Sequence, residues 1–442
     1  MLQSQVLQSG FPPKASLSGR RALIFAGAAL GLAAAHPAAA APTYQFSGTI
    51  DIPVTGFNTT GNFIGYDLST FDATNQLYYL TDRSNNGIDV FSAKTNSFVT
   101  QLGAGSFAGN TAAAANAGPN GISLTTLSDG SRLLLAGNGP SNFLAFNLAS
   151  NGTTLTSPVR TFSTAVAGTP TPPNRVDGVA YAPGANTILA ANNASNPGFI
   201  TLINNATGTV INSLKLDGTN GTPNVGSNGV EAEVYNTARN SFFVAVPALT
   251  AAATDAGGVI EVSATTGNIL NTYDFDALGL GSGGVCNPTG MAQGPGATLI
   301  VACSVGGTQS IALDPAGAGS IKVITGISGS DQLSYDPVRN VAFESARFEP
   351  GGPVLGIIDG STDTYTQGLP NTYNSHSVAV DPVSGEVFVA FDASSATKTD
   401  PFCAGGCIGV FTIASTAVPE PATLPVMALA LAGLGVLMRR RT

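Results

Sequence analysis

Residues 374–392, NSHSVAVDPVSGEVFVAFD, are the clearest copy of a unit that recurs along the chain, and such a repeat restricts the fold more than any single residue does. Val378 and Val380 alternate with small residues, DPVSG at 381–385 places Pro382 and Gly385 in a turn, and 386–391 alternates again. Alternation, turn formers and renewed alternation predict a β-hairpin. The pattern returns as FIGYDLSTFDATNQLYYLTD from Phe63, NGISLTTLSDGSRLLLAGN from Asn120, VDGVAYAPGANTILAANN from Val176, NGVEAEVYNTARNSFFVAVP from Asn228, TGMAQGPGATLIVACS from Thr289 and SDQLSYDPVRNVAFES from Ser330. A second strand pair follows most copies, as in GIDVFSAKTNSFVTQL (87–102), FITLINNATGTVINSLKL (199–216) and VIEVSATTGNILNTYDF (259–275). Four antiparallel strands per unit, repeated seven times, predict an all-β chain folded as a single seven-bladed β-propeller.

The seventh unit stops after its third strand, CIGVFTI at 407–413, while a lone strand, YQFSGTIDI at 44–52, precedes the first unit. Supplying that strand as the outermost strand of blade seven would close the ring and remove an open sheet edge. The anchors of the units are Gly65, Gly121, Gly178, Gly229, Gly290, Gln332 and Ser377, at a spacing compatible with blades. The turns DATNQ, DPVRN, DPVSG, SAKTNS and NNATGT are short and repetitive, whereas 103–119, 248–258, 347–353 and 393–406 are long and irregular. These long connections are expected on one face, where function belongs. The units VAVDPVSGEVFVAFD and VDGVAYAPGANTILAANN resemble those of the YVTN-type propellers, a likeness that speaks to fold and to no activity.

Both ends read as targeting segments. Lys14, Arg20 and Arg21 precede the apolar run 22–35, and the alanines at 38–41 suit cleavage after Ala40, so 1–40 is expected to be a signal peptide, 41–416 the propeller and 417–442 a sorting tail. GRRALIF (19–25) resembles a twin-arginine signal, which leaves Sec and twin-arginine export both open. The tail holds Pro419, Glu420 and Pro421, an apolar run at 424–438 short for a full bilayer span, and Arg439, Arg440 and Arg441, which would hold its end in the cytoplasm. This order of parts closely resembles the PEP-CTERM sorting tail of Gram-negative bacteria. The resemblance implies recognition by an exosortase, removal of the transmembrane helix near Pro419–Pro421, and delivery to the cell surface, outer membrane or exopolysaccharide matrix.

Of 17 Lys and Arg, six lie in these two ends, so the part between is more acidic than the net charge of −9 suggests. An acidic body repels nucleic acid and anionic lipid, which leaves exopolysaccharide or a surface protein as the partner of the mature chain. The four cysteines fit an oxidising compartment. Cys286 and Cys303 fall at the same end of the first two strands of blade five and should bridge, for about 3 kcal/mol in the chain-entropy model, and Cys403 and Cys407 can close the CAGGC loop.

Reaction classes are narrowed by what the sequence lacks. There is no Trp, one histidine outside the signal segment (His376), no GxSxG elbow and no GxxxxGK loop. The residue before each anchor enters beside the central channel, which gives Asn120, Asp177, Asn228, Thr289, Asp331 and His376, with Ile64 in blade one. An oxygen-rich ring suits a hard cation, and Asp177 with Asp331, helped by Glu231, supplies the charge that Ca²⁺ needs. The same groups could equally serve backbone amides at the blade entrances or hold channel water. Two functions follow: a non-enzymatic binding module, and a calcium-dependent hydrolase resembling the lactonase and gluconolactonase propellers.

Overall fold

The computed structural model describes residues 41–111, 114–169, 175–250, 252, 254–280, 285–304, 309–394 and 401–414. They form seven four-stranded antiparallel sheets, as the repeat predicts. From blade one to blade seven the innermost strands are Tyr66–Asp72, Ile122–Thr126, Gly178–Ala182, Glu233–Asn236, Pro288–Gln293, Ser330–Asp336 and Val378–Val380. The expected signal peptide and sorting tail, with the apolar run 424–438, lie outside the described residues, and no described helix is long and apolar enough to cross a membrane.

The turn between the first two strands of a blade has a sequence logic. In blades one, four, six and seven its first residue is Asp or Asn, whose side-chain oxygen accepts backbone N–H groups two or three residues on. Asp72 does so from Thr74 and Asn75, Asn236 from Ala238 and Arg239, and Asp336 from Val338 and Arg339. Its fifth residue takes positive φ: Gln76, Asn186, Asn240, Asn340 and, in blade seven, Gly385. Asn tolerates that conformation because its side chain bonds locally. At Asn186 and Asn240 the amide oxygen accepts the hydroxyl of a tyrosine five residues earlier, Tyr181 and Tyr235, each at 2.9 Å.

Each blade carries apolar side chains on both faces, so the core lies between blades. Seven buried clusters each join one neighbouring pair, from blades one and two (Tyr79, Leu134, Phe146) round to blades seven and one (Phe388, Tyr78, Phe91). The ring closes as expected. Strand Tyr44–Asp51 pairs antiparallel with Cys407–Ile413, Tyr44 opposite Ile413 and Asp51 opposite Cys407, as the outermost strand of blade seven. Both expected disulfides are formed, Cys286–Cys303 and Cys403–Cys407.

In blades one to six the strands run in chain order outward from the channel, and in blade seven the first three do. Connections from strand two to three, and from four to the next blade, therefore share one face. All four long stretches (103–119, 248–258, 347–353 and 393–406) fall in these two classes, so the variable face is a single face.

The segment entering blade one is tied down by a buried acid pair. Asp82, Asn85 and Asp89 are inaccessible to solvent; the Asn85 amide donates to Asp82 Oδ2 at 2.7 Å and to the Pro53 carbonyl at 2.8 Å, and Gln101 donates to Asp89 at 2.8 Å. Burial, then the other carboxyl, raises Asp82 well above the usual range, and burial pushes Asp89 up to about 6. Folding therefore favours the protonated pair, and stability should fall as pH rises from about 4 through about 6, by on the order of 3 kcal/mol. Urea midpoints measured across that window should drop in the wild type and drop less in Asp82→Asn, which keeps a donor between the two groups. Equal slopes in the two proteins would show that the pair is not the source.

Candidate binding site at the channel mouth

Seven side chains, one per blade, ring the channel where the inner strands enter from the variable face: Asp67, Asn120, Asp177, Glu231, Thr289, Asp331 and His376. Backbone bonds fix the equivalence in three of them, since Asn120, Asp177 and Glu231 each donate an N–H to the second strand of their own blade, at Gly137, Ala191 and Ala245. Two sequence-based positions need correction. In blade four the ring position is Glu231, three residues after Asn228, which is exposed and does not line the pit. In blade one it is Asp67, three residues after Ile64, which is half-exposed. Anchor residues on the channel-facing side include glycines because the next blade comes close: a Cβ on Gly121 would fall 1.9 Å from the Asp177 carbonyl oxygen, and one on Gly290 would fall 2.7 Å from that of Asp331.

Three arginines reach the ring, and none was apparent from the sequence. Arg83 pairs with Asp67 at 2.9 Å, Arg175 with Asp177 at 2.7 Å and Arg347 with Asp331 at 2.9 Å. Arg83 and Arg347 follow the second strands of blades one and six, and Arg175 lies just before the inner strand of blade three. Arg83 also donates to Asn120 Oδ1 at 2.7 Å, while the Asn120 amide donates to the carbonyls of Ala117 and Val176, so Asn120 is a fully engaged blade-entrance group. Thr289 likewise donates to the Ser330 carbonyl at 2.7 Å. His376 stacks on Tyr66, which stacks on Phe63, and its Nδ1 lies 2.7 Å from the Asn374 carbonyl. That contact turns Nε2 toward Asp67 Oδ1, at 3.6 Å.

Asp67, Asp177, Glu231, Thr289 and Asp331 line a cavity of about 300 Å³ together with Arg175, Asn193, Ser304, Ser330, Arg347 and Phe348. Below it the channel narrows past Gly178 and Glu233 into a second cavity of about 560 Å³ that opens toward the other face. Gln332 braces this waist. Its Oε1 accepts from Ser377 Oγ and Val378 N, each at 3.0 Å, and its amide donates to the Ser69 carbonyl at 2.7 Å, so one side chain of blade six links blades seven and one.

The electrostatics divide the acids into two groups. Burial works to raise Asp67, but Arg83 and the His376 contact outweigh it and bring the carboxyl down to about 2. Burial pushes Asp177 up to about 6 against the pull of Arg175. Among the described residues Glu231 and Glu233 form no salt bridge, and burial, then Asp177, raises both well above the usual range, with Arg175 only partly offsetting this at Glu231.

The donor set does not fit Ca²⁺. Asp177 and Asp331 are engaged by guanidinium groups, three arginines add positive charge at the mouth, and among the described residues no three His, Cys, Asp or Glu side chains gather as a metal site. What the mouth can do is bind: it offers charged and hydroxyl groups converging from several blades on one pit.

No family model matches the chain, and no curated protein is similar to it. A chain in the crystal structure of the mitotic checkpoint complex is similar in backbone, with a TM-score of 0.54 at 14% identity over 84% of this chain and 93% of that one. At that identity the likeness shows the β-propeller fold alone. In all, 1222 chains of solved structures match, so the architecture is shared too widely to select an activity.

Proposed function

We propose that this chain is an exported propeller, carried to the surface or extracellular matrix of a Gram-negative bacterium by its sorting tail, where it serves as a non-enzymatic binding module. The observation that carries the binding role is the pit of about 300 Å³ at the channel mouth, where aspartate and arginine pairs from blades one, three and six meet on the face bearing the long loops. A rigid ring presenting adaptable loops around a polar pit is a common way to build a recognition surface. The export route rests on 1–40 and on Pro419, Glu420, Pro421 and the arginines 439–441, which an exosortase would read. Two disulfides suit the oxidising compartment such a route leads to.

The preferred ligand is an exopolysaccharide, with a surface protein as the other partner class. Full chain purified from its host should be retained on extracted exopolysaccharide, and Asp177→Asn with Asp331→Asn should weaken that retention at least tenfold while leaving the melting transition sharp. Retention that is equal in wild type and variant would remove the pit from the account. For sorting, replacing Arg439, Arg440 and Arg441 by alanine should shift the chain from the surface fraction to the cell-associated one, and an unchanged distribution would refute it.

A further inference from the structure

We infer that the pit takes a pyranose carrying a free primary ammonium, with the amine on Glu231 and Glu233 and the sugar hydroxyls on the surrounding polar wall. This rests on the ring being the ligand site.

The first support is a count of charges. Five carboxyls face the upper channel (Asp67, Asp177, Glu231, Glu233 and Asp331), against three guanidinium groups, and each guanidinium is taken by one aspartate. Among the described residues neither glutamate forms a salt bridge, although Arg175 acts on Glu231 at longer range. Glu231 lines the pit, and Glu233, two positions on and the first residue of the inner strand, lines the cavity below it.

The second support is the setting of Glu233. Its Oε1 is closed off from solvent and accepts no hydrogen bond. Its Oε2 occupies space that only glycine at 178 leaves free, since a Cβ there would come within 1.7 Å. A buried acceptor without a donor is costly, and a channel built to hold one implies that a guest supplies the donor. An ammonium group brings three donors and the missing charge together. Burial, then Asp177, raises both glutamates well above the usual carboxylate range.

The rest of the lining selects the body of the guest. Asn193, Thr289, Ser304 and Ser330 line the pit with amide and hydroxyl groups, the first two and Ser330 already donating to Asp177, Ser330 and Gln332 and so offering mainly acceptor oxygens, and Phe348 stands half-exposed at the rim with Arg347 over its ring at 4.7 Å. A lysine side chain would lay its methylenes against those polar groups. A pyranose would meet them with hydroxyls and turn its apolar face to Phe348.

Glucosamine oligomers and their N-acetylated counterparts, titrated calorimetrically into the full chain, test this directly. The amine form should bind at least tenfold tighter, and Glu231→Gln with Glu233→Gln should bring the two ligands to parity. The single variants, each close to isosteric, guard against misfolding of the double one; each should lose part of the preference. The inference is overturned by equal binding of the two oligomers, by a preference that survives the double variant and so reflects only the net charge of −9, or by a lysine-rich peptide that competes better than the sugar. Should Asp177→Asn with Asp331→Asn abolish exopolysaccharide retention while the amine confers no advantage, the ring keeps its binding role and the ammonium assignment falls.

Discussion

Removing Tyr44–Asp51 is expected to abolish the single sharp unfolding transition and to drive the chain into aggregates. This strand is the outer edge of blade seven and pairs with Cys407–Ile413 over its length. It also reaches both neighbours. Tyr44 belongs to the core between blades six and seven and Ile50 to the core between blades seven and one, while Gln367 of blade six both donates to and accepts from the Tyr44 backbone at 2.9 Å. Burial of Tyr44 and Ile50 is worth about 1.5–3 kcal/mol each, and the lost ladder of hydrogen bonds adds about 1 kcal/mol apiece. The total rivals the roughly 5–15 kcal/mol by which a whole domain is stable. The remaining three-stranded blade would expose a continuous edge, which is a template for pairing with other chains. Calorimetry and size-exclusion chromatography would decide: a truncated chain that stays monomeric and melts as sharply as the intact one would refute the role of this strand.

The second large effect is expected at Arg132. Its guanidinium pairs with Asp72 at 2.9 Å across blades one and two, and both side chains are only 2% exposed. Asp72 is committed at once to its own turn, through the N–H of Thr74 at 2.9 Å and the amide of Asn75 at 2.7 Å. Arg132→Met would leave a buried carboxylate with no counter-ion, which costs about 3–5 kcal/mol when one partner of such a pair is removed. Asp72→Asn on top of Arg132→Met should recover much of the loss, because the asparagine oxygen can still accept from Thr74 and no unpaired charge remains. Urea unfolding of the two single variants and the double one measures this coupling. A single variant within about 1 kcal/mol of wild type would mean that the pair is energetically idle.

The two effects share an origin with what could be read from the chain. Period-two alternation and short turns rich in Asp, Asn, Pro and Gly are local properties, and they determined the strands, the blades, their number and the shared face of the long loops. The half-used blade at one end and the lone strand at the other determined closure, because an open edge has only one complement. The positions of Cys286 and Cys303 followed from the same strand order.

Membership of the ring was decided at another scale. The inner strands of blades one, five and six carry bulges, between Tyr66 and Ser69, Pro288 and Met291, and Ser330 and Leu333, and the inner strand of blade four begins only at Glu233. In blades five and six the residue before the anchor, Thr289 or Asp331, falls inside the bulge and keeps its place on the ring; in blades one and four Gly65 and Gly229 looked like anchors although they lie two residues before Asp67 and Glu231, outside the strands. Arg83, Arg175 and Arg347 lie outside the inner strands and carry no periodic signal. They reach the mouth only when the seven strands have converged, and with them the aspartates that read as metal ligands became halves of ion pairs. The alternating pattern of residues determined the strands, because each strand buries one side against its neighbour; tertiary convergence decided the charges at the mouth, because partners far apart in sequence meet only where the ring closes.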